Sequence, residues 1–453
     1  MNSTVHNPFS GELVAELPFD TRTDIDRKLD EARVAQLAWA RLDVQERVLH
    51  VARGMDYFRE RSEEVARDVS LQMGKPITQA RAELAGMLER SDHMLAIAAD
   101  VLEPDIMPAE ENLHRRIEHV PLGVVLNLAA WNYPLLIPVN VVVPALLAGN
   151  SVLLKHSART PLCGLHFQRA FANLEPANLV TQLIVGHGAT AEIVGDARVD
   201  QVAFTGSVDG GHAVQRAASD RFIDVGLELG GKDPAYVAAD CDLDATVAGI
   251  VDGACYNAGQ SCCAIERVYV HASIYDDFLA RVQPHVAAYQ LGDPLDETTT
   301  MGPLASASAL AFLEQQVRGA VEGGARLLIG GATRDRIFFE PTLIADCPDA
   351  SDLMRSESFG PIVACRSVVD DDHGLERMND SDLGLTASVW TKDRERAEWF
   401  GARLQVGTVF QNRCDFLDPA LAWTGVKDTG KGVTLSSYGL LQLTRRKSFN
   451  FRA

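Results

Sequence analysis

Basic residues are scarce in this chain. Its 453 residues hold 42 Lys and Arg against 62 Asp and Glu, a net charge of −20. A balance that acidic argues against a nucleic-acid partner or an anionic membrane surface. A long apolar run is missing too. The most hydrophobic stretch, LLIPVNVVVPALLAG at 135–149, is too short to span a bilayer, and Pro138, Asn140 and Pro144 interrupt it. Residues 1–12, MNSTVHNPFSGE, are polar and hold no apolar signal core, so a soluble, cytoplasmic protein is expected. None of the eight cysteines forms a CxxC pair, and their spacing fits neither a disulfide framework nor a zinc site. No metal is therefore expected, and free thiols in a long chain point to a reducing compartment. The GxGxxG dinucleotide fingerprint is absent as well.

What is present reads as a multidomain α/β protein. Hydrophobic residues make up 47% and charged residues 23%, as in an ordinary globular chain. From about Thr23 to Ala99 apolar residues recur at three- and four-residue spacing, the signature of helices, with Gly74 ahead of Lys75-Pro76 as a stop. From Gly123 onward short β-branched runs (GVVLNLA, SVLLKH, VTQLIVG, QVAFTGS) alternate with helix-like segments, which predicts a parallel sheet. A second such series follows from PAYVAA. LHRRIEHVPLG and the tail LTRRKSFNFRA read as edge strands.

A parallel α/β domain raises the question of a nucleotide. FTGSVDGGHAVQRAA, from Phe204, runs from a strand through Gly206 and Gly211 into a helix, where backbone can approach a phosphate and helix N–H groups can meet it. A plain strand-to-helix turn has the same pattern. GLELGGKD at 226–233 nearly matches a phosphate-binding P-loop, but Asp233 stands where a hydroxyl is needed and Glu228 would repel phosphate.

Seven segments carry more weight together. AAWNYP (129–134), LLKHSARTP (153–161), FTGS (204–207), LELGGKDP (227–234), GQSCCA (259–264), ESFGP (357–361) and WTGVKDTGKG (423–432) occur in this order. The series resembles the aldehyde dehydrogenase superfamily over essentially the whole chain. The resemblance implies a Rossmann-type cofactor domain (1–102 and 121–229), an α/β catalytic domain (230–428) and a small β oligomerisation arm (103–120 and 429–453). The tail is expected to add a strand to a neighbour's sheet, giving a homodimer or homotetramer.

The same resemblance assigns roles. Cys262 is the nucleophile and Cys263 a packing residue; Glu228 is the base that activates water, with its pKa expected to be raised by burial; Asn132 and the backbone N–H of Cys262 stabilise the oxyanion. The cofactor, NAD or NADP, is expected to meet Trp131 at the adenosine cleft, Lys155 at the adenosine ribose, Ser157 and Ala158 beside it, Gly206, Ser207 and Gly211 at the pyrophosphate, Leu229, and Glu357 with Phe359 at the nicotinamide ribose. At position 158 strongly NAD-selective relatives carry a Glu; Ala158 followed by Arg159 tilts the expectation toward NADP, with Arg159 or His187 as contacts for a 2′-phosphate. His156 stands where proline is more usual.

Tyr133, Leu136, Leu417 and Trp423 match substrate-lining positions, as do Ile137 and Asn140. That lining suits an uncharged aliphatic or aromatic aldehyde. A semialdehyde carboxylate usually meets an Arg just after the WNYP segment, and 135–140 hold none; Arg413 is an alternative cation, while Asp415 and Asp418 would suit an amino-aldehyde.

Overall fold

The computed structural model describes residues 2–452. A short antiparallel hairpin, Asn2–His6 with Leu13–Pro18, precedes four helices: α1 (Arg22–Trp39), α2 (Val44–Glu60), α3 (Ser62–Met73) and α4 (Ile77–Val101). Local chemistry sets their ends. Thr21 and Asp24 form a reciprocal capping box on α1, and Asp43 and Glu46 do the same on α2. Each box satisfies two backbone donors that the first turn leaves open, a contribution of about 1 kcal/mol per cap. Gly74 ends α3 in the left-handed region at φ 83°, the stop that the sequence signals.

The first large sheet runs in the order 430–431, 224–228, 201–205, 124–129, 151–156, 180–182. All neighbours are parallel except the short 430–431 strand, which pairs antiparallel with 224–228. Strand Val124–Ala129 is buried at every position, as expected for a sheet covered on both faces. Its apolar residues pack against α1–α4 and against α5 (Leu136–Leu147), the helix made by the interrupted apolar stretch. Among the described residues no helix is long and apolar enough to cross a membrane.

The second large sheet runs 326–329, 342–345, 362–368, 265–271, 233–237, 386–390, 408–411, again parallel except at its first pair. It carries its own continuous core, from Ala235 and Val268 to Leu343 and Phe400. A third, antiparallel sheet joins the tail strand Thr444–Arg452 to Leu113–Pro121 and Asp105–Ile106.

The tail falls into two parts. Its last strand pairs with this chain's own arm, Arg452 opposite Leu113 and Thr444 opposite Pro121, and so becomes the outer edge of that sheet. Its beginning, Gly430 and Lys431, leaves the arm altogether and lies beside the Glu228 strand. Gly430 is needed there: at φ 118° a Cβ would lie 2.2 Å from the Leu227 carbonyl oxygen.

Candidate active site

The turn that presents Cys262 is built from left-handed backbone. Asn257 (φ 54°), Ala258 (φ 56°) and Gly259 (φ 71°) follow the helix Leu243–Cys255 in succession. Non-glycine residues in that region are strained, so the surroundings must hold them. The Asn257 N–H donates to Gln79 Oε1 (3.1 Å), and its side-chain amide donates to the Asn132 and Gln260 carbonyls (3.1 and 3.0 Å). Gln260 closes the turn through Asn257 O (3.0 Å) and accepts from the Ala305 N–H (2.9 Å). At Gly259 a Cβ would meet the Gly360 carbonyl at 2.2 Å, so only glycine fits.

The WNYP loop is held from below by a buried ion pair. Lys75, just past the α3 stop, hydrogen-bonds Glu83 of α4, and neither side chain is more than 1% exposed. The ammonium also donates to the Asn132 carbonyl (2.9 Å) and lies 4.0 Å from the Tyr133 ring centroid. Glu83 accepts from the Leu135 N–H (2.8 Å) at the start of α5. His156 takes part as well. Its Nε2 lies 2.9 Å from the Pro134 carbonyl, which can only accept, so Nε2 carries the proton and Nδ1 accepts from the Thr160 hydroxyl (3.0 Å). Burial lowers its pKa to about 4, so it works as a neutral tie between strand 151–156 and the loop.

Glu228 ends its strand half-buried. Burial raises its carboxyl above the ordinary range, as expected, while the Thr434 hydroxyl (2.6 Å) and the nearby Arg90 guanidinium favour ionisation. Cys263 is buried and donates to Asp415 (2.8 Å). The neighbouring Cys262 thiol, burial and the Asp415 carboxylate hold its proton on, well above the ordinary thiol range. Asp415 also accepts from Tyr133 (3.3 Å) and Ser261 (3.4 Å), and burial pushes it up to about 6.

Three cavities meet in line. The first, about 230 Å³, holds Lys155, His187, Ser207 and Gly210. It shares Thr205 and Ser207 with the second, about 210 Å³, lined by Trp131, Asn132, Gly206, Glu228, Leu229, Cys262, Glu357 and Phe359. The second shares Thr205, Glu228, Leu229 and Cys262 with the third, about 500 Å³, which holds Tyr133, Leu136, Leu417 and Trp423 among its walls. The thiol and the carboxylate therefore face both a narrow cleft and a wide one.

The first two cavities fit a dinucleotide. The Lys155 ammonium has no hydrogen-bond partner among the described residues, and burial lowers its pKa. Ser207 caps the helix Val208–Ala217 through the Gly210 N–H. Glu357 accepts from the Gly231 N–H alone (3.1 Å); burial and the nearby Glu266 push it up to about 8, so a hydroxyl donor would complete its coordination. Lys232 of the near-P-loop is spent on Glu266 (2.5 Å) and Ser358 (3.0 Å), and Glu266 in turn fixes the ESFGP loop through the Ser358 and Phe359 N–H groups.

Several sequence-assigned residues stand elsewhere. Trp131 packs edge-on against Phe359 (5.6 Å) in the middle cavity rather than in the Lys155 pocket. Arg159 bonds the Ala305 carbonyl and lies over the Trp131 ring, away from that pocket; His187 does line it. Ser157 accepts from the Arg159 N–H and Ala158 is exposed, and neither lines these three cavities. Gly211 makes room for Leu229, whose Cδ1 would lie 2.7 Å from an added Cβ. Arg413 stacks on Phe416 and Asp418 holds the Ala420 N–H, so neither lines the wide cavity; Asp415 does. Sequence reasoning missed Lys75, Glu83, Arg90 and Thr434. Glu83 and Arg90 were legible in outline, since both fall on the apolar stripe Ala80, Leu84, Met87, Met94, Ala98 of α4.

Two parallel sheets with a thiol and a carboxylate between a dinucleotide-shaped cleft and a wider pocket define a class, the thiol-dependent α/β oxidoreductases. Comparison with known proteins narrows this. Residues 2–449 match the model of the aldehyde dehydrogenase family, and the chain belongs to it: it is an oxidoreductase acting on aldehydes. It is 35% identical to a succinate semialdehyde dehydrogenase [NAD(P)+], Sad, of Escherichia coli, over 96% of this chain and 94% of that one. It is 33% identical to the geranial dehydrogenase of Castellaniella defragrans, over 98% and 94%. Among solved structures, the succinic semialdehyde dehydrogenase of Streptococcus pyogenes with NADP+ superposes with a TM-score of 0.95 at 26% identity, covering 99% of this chain and 100% of that one.

Proposed function

We propose that this chain oxidises an aldehyde to a carboxylic acid with NAD or NADP, through a thioester on Cys262. The observation that carries the reading is the line of cavities with Cys262 and Glu228 where the narrow and wide clefts meet. A bound nicotinamide in the narrow cleft would supply the hydride acceptor; Lys155, Ser207, Glu357 and Phe359 are the residues to hold the dinucleotide. The chain supplies the rest. The Cys262 thiolate attacks the carbonyl carbon and makes it tetrahedral. The buried Asn132, its backbone carbonyl held by Lys75 and Asn257, directs one side-chain N–H to the Gln260 carbonyl (3.2 Å) and offers the other to the oxygen that gains charge. Once the carbon stands at the acyl level, Glu228 takes a proton from water, the water attacks the thioester and the thiolate leaves. A carboxyl raised by burial is the stronger base for that step.

NADP is the favoured cofactor of the two. Among the described residues no carboxylate lines the Lys155 pocket to repel a 2′-phosphate, and Lys155 and His187 share its wall. The Escherichia coli relative is an NAD(P)+ enzyme by its name, and the Streptococcus pyogenes structure holds NADP+. A cytoplasmic homo-oligomer fits the free thiols and the outer arm strand 444–452, whose open edge invites a second copy. The test is reduction of NAD and NADP with an aldehyde panel. Aldehyde-dependent reduction that Cys262→Ser abolishes supports the proposal. Reduction that survives Cys262→Ser, or ester cleavage with no cofactor reduced, overturns it.

A further inference from the structure

Among the described residues, the two buried arginines other than Arg90 each donate to two or more backbone carbonyls. Arg267, 1% exposed, donates to the carbonyls of Lys232, Arg377, Met378 and Asp380. Arg47, 7% exposed, donates to the carbonyls of Leu147 and Leu42. Arg90 of α4 breaks the pattern. It is 9% exposed, lies on the wall of the wide cavity, and donates to one acceptor only, Asn140 Oδ1 at 3.2 Å. No carboxylate lies within ion-pair distance of it among the described residues. A guanidinium has five N–H donors and stays charged, so most of its donors have no protein acceptor.

The acids nearby are already engaged. Glu83 pairs with Lys75, Asp415 accepts from Cys263, Tyr133 and Ser261, and Glu228 accepts from Thr434. Asp252 and Glu89 also line the cavity but are exposed, where solvent screens them. A buried cation short of acceptors is costly to keep, and an incoming anion with two parallel oxygens relieves it better than any neutral group. The cavity that holds both Arg90 and the thiol also has apolar wall residues, with Leu136, Leu417 and Trp423 suited to methylenes.

We infer that Arg90 selects the substrate: it binds the distal carboxylate of an ω-oxo acid whose aldehyde end reaches Cys262. The assignment takes the semialdehyde alternative over an uncharged aldehyde, and it rests on the aldehyde-oxidising reading above. Asn140, on the same cavity wall, fixes one guanidinium nitrogen, leaving the remaining N–H groups for the ligand.

The experiment compares kcat/KM for length-matched pairs: 4-oxobutanoate with butanal, 5-oxopentanoate with pentanal, 6-oxohexanoate with hexanal. Wild-type protein should favour the acid of at least one pair by more than about tenfold. Arg90→Met should lower that ratio by at least about tenfold, mostly through KM of the acid, and Arg90→Lys should fall between. A guanidinium that serves only to favour the Glu228 carboxylate would lower both members of a pair in parallel; an unchanged ratio in Arg90→Met therefore overturns the assignment. So does a wild type that oxidises the neutral aldehydes as well as the acids, a result that needs no folded variant. Failure to oxidise any aldehyde strikes instead at the function proposed above.

Discussion

Lys75→Met is the sharpest probe of how the oxyanion loop is held. Methionine keeps the length and most of the volume, so contact with the Tyr133 ring changes little, and the Glu83 carboxylate is left without its cation. Side chains 0% and 1% exposed give water no easy way to replace it. Breaking a buried pair from one side costs about 3–5 kcal/mol. The low end is expected, because Glu83 keeps the Leu135 N–H at 2.8 Å. Adding Glu83→Gln removes the stranded charge while an amide oxygen still accepts from Leu135, so the double variant should lie only about 1–2 kcal/mol below wild type. Urea unfolding of wild type, both single variants and the double, at one protein concentration, gives the coupling energy. A coupling of at least about 2 kcal/mol is expected. The Asn132 carbonyl also loses one of its two donors, keeping Asn257 Nδ2. Misplacement of the loop should therefore lower kcat by up to about a hundredfold, more than it raises KM. Near-zero coupling, with kcat unchanged in Lys75→Met, would refute the reasoning.

Two further predictions concern the base and the cofactor. Burial raises Glu228 above 4.5, so as pH falls its ionised form is lost sooner than for an ordinary glutamate. Turnover should rise with pH through a point above 4.5, and Glu228→Gln should lose that limb while retaining a pre-steady-state burst of reduced cofactor; full steady-state turnover in the variant excludes the role. Lys155→Met should weaken binding of both NAD and NADP by about tenfold or more in fluorescence titration. His187→Ala should weaken NADP more than NAD, and an unchanged preference removes His187 as the 2′-phosphate contact.

The sequence made legible what chemistry restricts to one residue type. Cys262, Glu228 and Asn132 sit in segments whose neighbours are constrained too: Gly259 has no room for a Cβ, and Gly231 would place one 2.2 Å from the Cys262 carbonyl oxygen. The alternation of strands and helices was equally plain, because strands such as Val124–Ala129 are buried on both faces and read as unbroken apolar runs. What escaped depends on partners distant in sequence. Thr434 reaches Glu228 from 206 residues away, and nothing in WTGVKDTGKG says that the tail returns to that strand before reaching the arm. Arg159 looked free for a phosphate only because its acceptor, the Ala305 carbonyl, lies 146 residues downstream. Arg90 sat in view on the apolar stripe of α4, but its unmet donors appear only once the cavity is formed.

The paired cysteines show how one turn gives adjacent side chains opposite properties. After the left-handed run at 257–259 the chain enters the strand at Ile265; Cys262 lines both clefts, while Cys263 is buried and lines the wide one only. There Cys263 spends its proton on Asp415, and Asp415 is further satisfied by Tyr133 and Ser261, one residue from the WNYP amide and one from the nucleophile. A buried thiol donating to a carboxylate resists ionisation. The sulfur at 263 is thereby removed from competition for the carbonyl and made a brace between the oxyanion loop and the nucleophile turn. Position along the chain does not separate the two thiols; what separates them is which one has a carboxylate within hydrogen-bond reach.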